Sequence, residues 1–366
     1  MTRGKEEDPQ LQPVRKGRGV QSNRSGRFER ETRAPIDDGW DSAAEVVPGA
    51  NRTRVGIDRA RKVIARNDSP DIGFDRSINP YRGCEHGCVY CFARPSHAYL
   101  GLSPGLDFET RLFAKPDAAR ALRAELAQPR YRPQVLVLGA NTDPYQPVER
   151  RMEITRQILE VLAEARHPVT IVTKSDLVLR DIDLLAPMAA EGLASVMVSV
   201  TTLDRELARR MEPRAATPKR RLGAIAGLAK AGVPVGTLFA PVIPALNDAE
   251  LDAVLAAAKE AGATRAGYVL LRLPLELKAL FEEWLERHYP DRKRRVLDLL
   301  RQARGGRLYD SSFGQRQTGT GPQAQILASR FKLACRRLDL NGEREWSLRN
   351  DLFRAPALDE RQLALF

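Results

Sequence analysis

Cysteine is scarce: four residues in a chain of 366. A secreted disulfide scaffold spreads many cysteines through a short chain, so that class is excluded. No stretch approaches the ~18 uninterrupted apolar residues of a membrane span. Residues 1–10 are polar and carry no apolar run, so no secretory signal is read there and a cytoplasmic enzyme is expected. Large apolar side chains are nearly missing from residues 1–50, which are rich in Arg, Gly, Asp, Glu and Pro. Such a segment buries too little surface to offset its ordering entropy, so it reads as a disordered basic tail, dispensable for folding.

What remains is ordinary globular material, with 43% hydrophobic and 29% charged residues. Its length suits one large domain with tails, or two domains. The net charge is +12. Residues 1–66 carry 15 Lys and Arg against 10 Asp and Glu, and residues 287–366 carry 17 against 9. The excess charge therefore sits in the flanks. Basic flanks draw a protein to nucleic acid by counterion release. A solvated, Arg-rich surface is the simpler alternative.

From about residue 70 the chain alternates strand and helix. Val135–Gly139, Val169–Thr173, Ser195–Thr201, Pro234–Val242 and Ala266–Leu271 are short apolar runs, as strands buried on both faces should be. A sixth, weaker strand precedes the cysteines near Arg76–Pro80. Helical spacing separates them, and two helices close on Gly232 and Gly262. Six such units predict an α/β fold, a partial (β/α)6 barrel of the TIM type. The predicted domains are the tail, 1–50, the barrel core, 51–285, and a C-terminal helical extension, 286–366. In the extension, Val296, Leu297, Leu300, Ile326, Leu327, Phe331 and Leu333 form an apolar stripe that needs a partner. The open side of the barrel is the expected one. Chemistry on such sheets sits at the carboxyl ends of the strands.

Three of the cysteines fall within eight residues, Cys84-x3-Cys88-x2-Cys91, after the first strand. A structural zinc site takes four ligands, and so does a ferredoxin-type cubane. Three thiolates on a cubane leave one iron open to a further ligand. A Cys3His zinc site completed by His86 or His97 is the alternative. The run Asn79-Pro-Tyr-Arg-Gly-Cys84-x3-Cys88-x-Tyr90-Cys91-Phe-Ala-Arg94 resembles the radical S-adenosylmethionine (SAM) superfamily, and in particular its spore photoproduct lyase-like branch. That resemblance implies a [4Fe-4S] cluster on Cys84, Cys88 and Cys91, with SAM on the open iron. It also implies reductive cleavage of SAM to a 5′-deoxyadenosyl radical, which takes a hydrogen atom from the substrate.

The resemblance also points to SAM contacts at the strand ends. Asn141, Thr142 and Asp143 stand where the superfamily holds the SAM amino group. Lys174 matches a position that meets its carboxylate in the lyase-like branch. Ser199 and Thr201, on one face of their strand, are candidates for the carboxylate or ribose. Arg214 offers a planar fork for a carboxylate, while Arg221 reads as a helix start. On the substrate side, Tyr268 is a candidate hydrogen relay and Arg272 faces the same region. Arg316, in a Gly-rich loop resembling a lid, has reach for an anion. Cys335 is a candidate hydrogen donor by analogy with the lyase, against ordinary burial.

The implied partners are a low-potential electron donor of flavodoxin or ferredoxin type and a substrate for which nucleic acid is one candidate. The competing class is a non-catalytic iron–sulfur or zinc protein that binds nucleic acid through its flanks. It has no need of polar strand ends.

Overall fold

The structure, a computed structural model, describes residues 17–29, 52–342 and 347–357. The described residues form ten strands: β1 (Arg54–Ile57), β2 (Ile64–Arg66), β3 (Arg76–Ile78), β4 (Tyr81–Arg82), β5 (Arg111–Ala114), β6 (Leu136–Leu138), β7 (Val169–Thr173), β8 (Ala194–Ser199), β9 (Val235–Val242) and β10 (Arg265–Leu270). Seven form one sheet in the order β10-β9-β8-β7-β6-β3-β2. The six from β3 to β10 pair in parallel, and β2 adds an antiparallel edge. These six are the units expected from the apolar runs. The sheet is open: β10 and β2 lie at its two ends.

The burial of all of β6, and of β8 except for the partly buried Met197, follows from helices on the outer face. Ile154–Glu164, Ile182–Ala190, Pro218–Lys230 and Leu251–Glu260 are these crossovers, each turning a buried apolar stripe to the sheet. β1, β5 and β4 make a separate three-stranded sheet beside the first βα unit. Their brevity, down to two residues in β4, leaves no periodic signal.

An exposed strand edge invites pairing, and here the C-terminal extension covers it. The Leu270 N–H donates to the Gln317 carbonyl at 2.8 Å. Asn341 grips Ala266, accepting from its N–H at 2.9 Å and donating to its carbonyl at 3.0 Å. The helix Pro290–Gln302 buries Val296, Leu297 and Leu300. The helix Pro322–Arg337 buries Ala324, Leu327, Ala334 and Cys335, while Ile326 and Leu333 stay exposed. The inward face is thus shifted from the expected stripe, because small alanines allow close approach at the β10 edge. Among the described residues no helix is long and apolar enough to cross a membrane.

Candidate active site

The cysteine loop leaves β3 through β4 and turns on two glycines. Gly83 (φ 75°) and Gly87 (φ 67°) both lie in the left-handed region. A Cβ at Gly83 would sit 2.7 Å from a Leu112 methyl and 2.8 Å from the Phe108 carbonyl oxygen. Cys84 and Cys88 are buried, Cys91 is partly so, and all are free thiols. Burial, then Asp143 and the other two cysteines, push the Cys84 thiol far up. Burial raises Cys88 and Cys91 as well, opposed in both by the Lys174 charge. The backbone N–H groups of His86 for Cys84, and of Ala93 and Arg94 for Cys91, work the other way and favour the thiolate. Thiols buried this deeply keep their protons until a metal draws them off. The N–H groups are then ready to stabilise the resulting thiolates. This donor set fits an iron–sulfur cluster.

Both histidines of the zinc alternative are otherwise engaged. His86 is buried with Nδ1 3.3 Å from Asp143 Oδ2. His97 meets the Arg111 carbonyl through Nε2 at 3.0 Å, and its ring packs edge-on against Phe108. Among the described residues no three His, Cys, Asp or Glu side chains are placed to hold a single metal ion.

Arg94 holds the loop from behind. Its Nε donates to the Cys88 carbonyl at 2.9 Å and its Nη2 to the Gly87 carbonyl at 3.1 Å. Its Nη1 reaches the carbonyls of Pro104 and Gly105, and its Nη2 pairs with Glu109. Both side chains of that ion pair are 0% exposed. Glu109 also accepts the N–H groups of Gly19 at 3.0 Å and Val20 at 3.1 Å. Arg18 donates to the Glu109 carbonyl at 2.9 Å and to Thr53, whose hydroxyl bonds Glu85. A Cβ on Gly19 would meet the Gly87 oxygen at 1.7 Å. Residues 18–23 therefore strap the cysteine loop. This corrects the expected tail over 17–29; the rest of 1–50 up to Asn51 lies outside the described residues.

At the end of β6, Asn79 Oδ1 accepts the N–H groups of Asn141 at 3.0 Å and Thr142 at 3.2 Å. Asn141 is exposed; the buried Thr142 hydroxyl donates to the Tyr81 carbonyl at 2.8 Å. Asp143 accepts from the Thr173 hydroxyl at 2.7 Å, the Lys174 N–H at 2.7 Å and the Tyr145 N–H at 2.9 Å. Burial works to raise its pKa, but His86, Thr173 and the Lys174 N–H hold it down at about 2. Its carboxylate thus ties the ends of β6 and β7 to the cysteine loop. Gln146, absent from the expected set, does the same. It accepts from the Glu85 N–H at 2.8 Å and donates to the Gly83 carbonyl at 3.3 Å.

Lys174 lies 5.9 Å from the centre of the Tyr90 ring, on the cysteine side. Ser199 is buried at the end of β8. Thr201 donates to Glu212 at 2.9 Å, and the buried Glu212 also takes Tyr90 and Arg221. Arg221 is therefore a core ion pair, not only a helix start. Arg214 stands beside the loop, 37% exposed, with Nη2 3.2 Å from Glu85.

A family model for the radical SAM superfamily matches residues 78–258. Over 232 residues the chain is 40% identical to an uncharacterised protein of Mycobacterium tuberculosis, covering 63% of this chain and 68% of that one. The chain belongs to the radical SAM superfamily. An uncharacterised protein of Methanocaldococcus jannaschii is 27% identical over 233 residues, 64% of this chain and 83% of that one. Solved spore photoproduct lyase variants share the fold. One gives a TM-score of 0.56 over 78% of each chain at 16% identity. Another, with bound AdoMet and dinucleoside spore photoproduct, gives 0.54 over 78% of each chain at 17% identity. Radical SAM enzymes use a [4Fe-4S] cluster and SAM.

The radical SAM core thus brings the cysteine loop, Asn141, Thr142, Asp143, Lys174 and Arg214 into one bonded neighbourhood. The substrate-side candidates lie elsewhere. Tyr268 packs against Phe331 of the C-terminal helix, the rings tilted and 4.7 Å apart between centres. Cys335, on that same helix, is buried beside Asn341, and burial raises its thiol to about 11. What both touch is core packing at the β10 edge. Arg316 does not stand free for an anion; it pairs with Asp71 and Ser69 on the β2–β3 connection. Arg272 does approach the site, with its guanidinium 5.1 Å from the centre of the Phe92 ring, next to Cys91.

Proposed function

We propose that this radical SAM enzyme holds its cluster on Cys84, Cys88 and Cys91 and receives SAM on the face bounded by Lys174, Ser199, Arg214 and the Asn141–Asp143 turn. The observation that carries it is the placement of three free thiols, two buried and one partly so, on one loop at the strand ends, with Lys174 Nζ 5.9 Å from the ring of Tyr90 between them. Bound cluster and SAM supply the reductive cleavage that yields methionine and a 5′-deoxyadenosyl radical. The chain's own groups position and shield that chemistry. Lys174, and Arg214 beside its partner Glu85, are the cations placed to meet a carboxylate. Asp143 orients His86 and the β7 end. The buried Tyr90–Glu212–Arg221 network closes the site from below. An external low-potential donor of flavodoxin or ferredoxin type supplies the electron, and the reducing cytoplasm suits both the thiols and that donor. The substrate is taken at the β10 side. Nucleic acid is favoured there by the charge of the flanks and by the dinucleoside ligand in the lyase structure.

Anaerobically reconstituted protein, given dithionite and SAM, should release 5′-deoxyadenosine and methionine in equal amounts. A reducible cluster that yields neither, with or without added substrate, overturns this reading. Within it, Arg214→Ala should weaken SAM binding by about tenfold to a hundredfold with iron content unchanged, as for one lost charge-assisted contact. Asp143→Ala should lower both SAM affinity and iron retention, because Asp143 holds His86 inside the cysteine loop. Iron assay and SAM titration of the two variants separate these roles.

A further inference from the structure

Beyond the cysteine loop, the carboxyl end of β10 carries two arginines whose donors are unmet. Arg304 follows the helix Pro290–Gln302 and is 3% exposed. Its Nη2 donates to the carbonyls of Leu271 at 2.9 Å and Leu270 at 3.3 Å. Its Nε and Nη1 are buried and have no partner among the described residues. The Nε of Arg272 is likewise buried and unpartnered. Elsewhere among the described residues no arginine leaves more than one such nitrogen. Arg272 also reaches the Tyr309 hydroxyl, at 3.5 Å. Neither acid six positions away pairs with Arg304: Asp310 accepts from the Ser312 N–H, and Asp298 pairs with Arg301.

The arrangement is costly as it stands. A guanidinium keeps its charge when buried, and each unmade hydrogen bond adds a desolvation penalty. Burial and the adjacent Arg272 charge lower even Arg304, to about 10. Asp310 acts on Arg304 and Asp71 on Arg272 only through space, neither making an ion pair with them, so two forks with free N–H groups remain to match the oxygens of a phosphate. The position is also informative. Arg272 lies over Phe92, which is 44% exposed and follows Cys91 directly. The anion would therefore sit beside Phe92 and the cysteine loop, although in strand order the ends of β7 and β8, with Lys174 and Arg214, lie between β10 and β3.

The geometry points to a phosphate-binding site formed by Arg272 and Arg304 with Tyr309, which receives a phosphate group of the substrate. This rests on the strand ends being the active site, but its test does not pass through radical chemistry. Inorganic phosphate, thymidine 5′-monophosphate and a short single-stranded oligonucleotide are titrated into the full-length reconstituted protein without SAM or reductant, with acetate for comparison. Saturable phosphate binding at one site per chain is expected, with acetate much weaker. Arg272→Gln should weaken it by about tenfold or more, the loss of one charge-assisted contact. Arg330→Gln, on the outer helix, should not. Arg304→Gln should do the same as Arg272→Gln; because Arg304 also caps β10, its fold is checked by circular dichroism, and Arg272→Gln decides alone if it unfolds. Tighter binding of the mononucleotide or of the oligonucleotide tells a monoester from a backbone diester. No saturable binding, equal binding of acetate, or unchanged affinity in Arg272→Gln overturns the proposal. 5′-Deoxyadenosine yield, measured separately on the wild-type protein, reports on the radical SAM reading alone.

Discussion

Replacing any one of Cys84, Cys88 and Cys91 by alanine should strip the protein of its iron and brown colour and abolish 5′-deoxyadenosine formation, whereas Cys335→Ala should keep both. The reason is geometric. The three thiols stand on one short loop turned at Gly83 and Gly87, close enough to act electrostatically on one another. Two thiolates cannot secure a cubane, and neither histidine near the loop is free to replace a thiolate. His86 is held by Asp143, and His97 is bonded to the Arg111 carbonyl and wedged against Phe108. Cys335 sits instead in the packing between the C-terminal helix and Asn341, where a thiol behaves as a small apolar group. Iron assay, visible absorbance and product analysis on the four variants check this. Full iron in any loop variant, or iron loss in Cys335→Ala, reverses the assignment.

The barrel was legible because its strands are buried on both faces. Val169–Thr173 reads as an apolar run and is a strand with those bounds. The first strand was faint because β3 is three residues, Arg76–Ile78, and its Arg76 is buried through a bond to the Arg132 carbonyl rather than by apolar character. The cysteine loop was legible from spacing alone. Its supports were not. Gln146 and Glu109 act through hydrogen bonds to residues 61 and 90 positions away. No local period marks such contacts. Asp143 was singled out as a charge at a strand end, yet its oxygens serve protein donors, which only the packed structure can decide. That Tyr268 packs on Phe331 of the C-terminal helix was not legible, for a related reason. Strand alternation gives two faces but does not say which one the C-terminal helix will cover.

The residues 18–23 are the sharpest case, since composition set them among dispensable ones and the structure sets them on the cysteine loop. Deleting residues 1–29 should leave a folded barrel whose cluster bleaches faster in air and is retained less well on desalting. Gly19→Ala should do the same, because its Cβ would lie 1.7 Å from the Gly87 oxygen and push the strap away. The larger effect is expected one layer down. Arg94 spends its guanidinium on four carbonyls and on Glu109, with no solvent access. A lysine offers three donors from one point and cannot span those partners. Arg94→Lys should therefore lose the cluster even under anaerobic conditions. Glu109→Ala would strand a buried charge, at a cost of about 3–5 kcal/mol. It would also free the Gly19 and Val20 N–H groups together. Thermal unfolding should show Glu109→Ala well below wild type, and the deletion variant close to wild type in stability but not in cluster lifetime. If the deletion and Gly19→Ala both bleach at the wild-type rate, the strap has no part in guarding the cluster. If Arg94→Lys retains its iron, the loop does not depend on that fork.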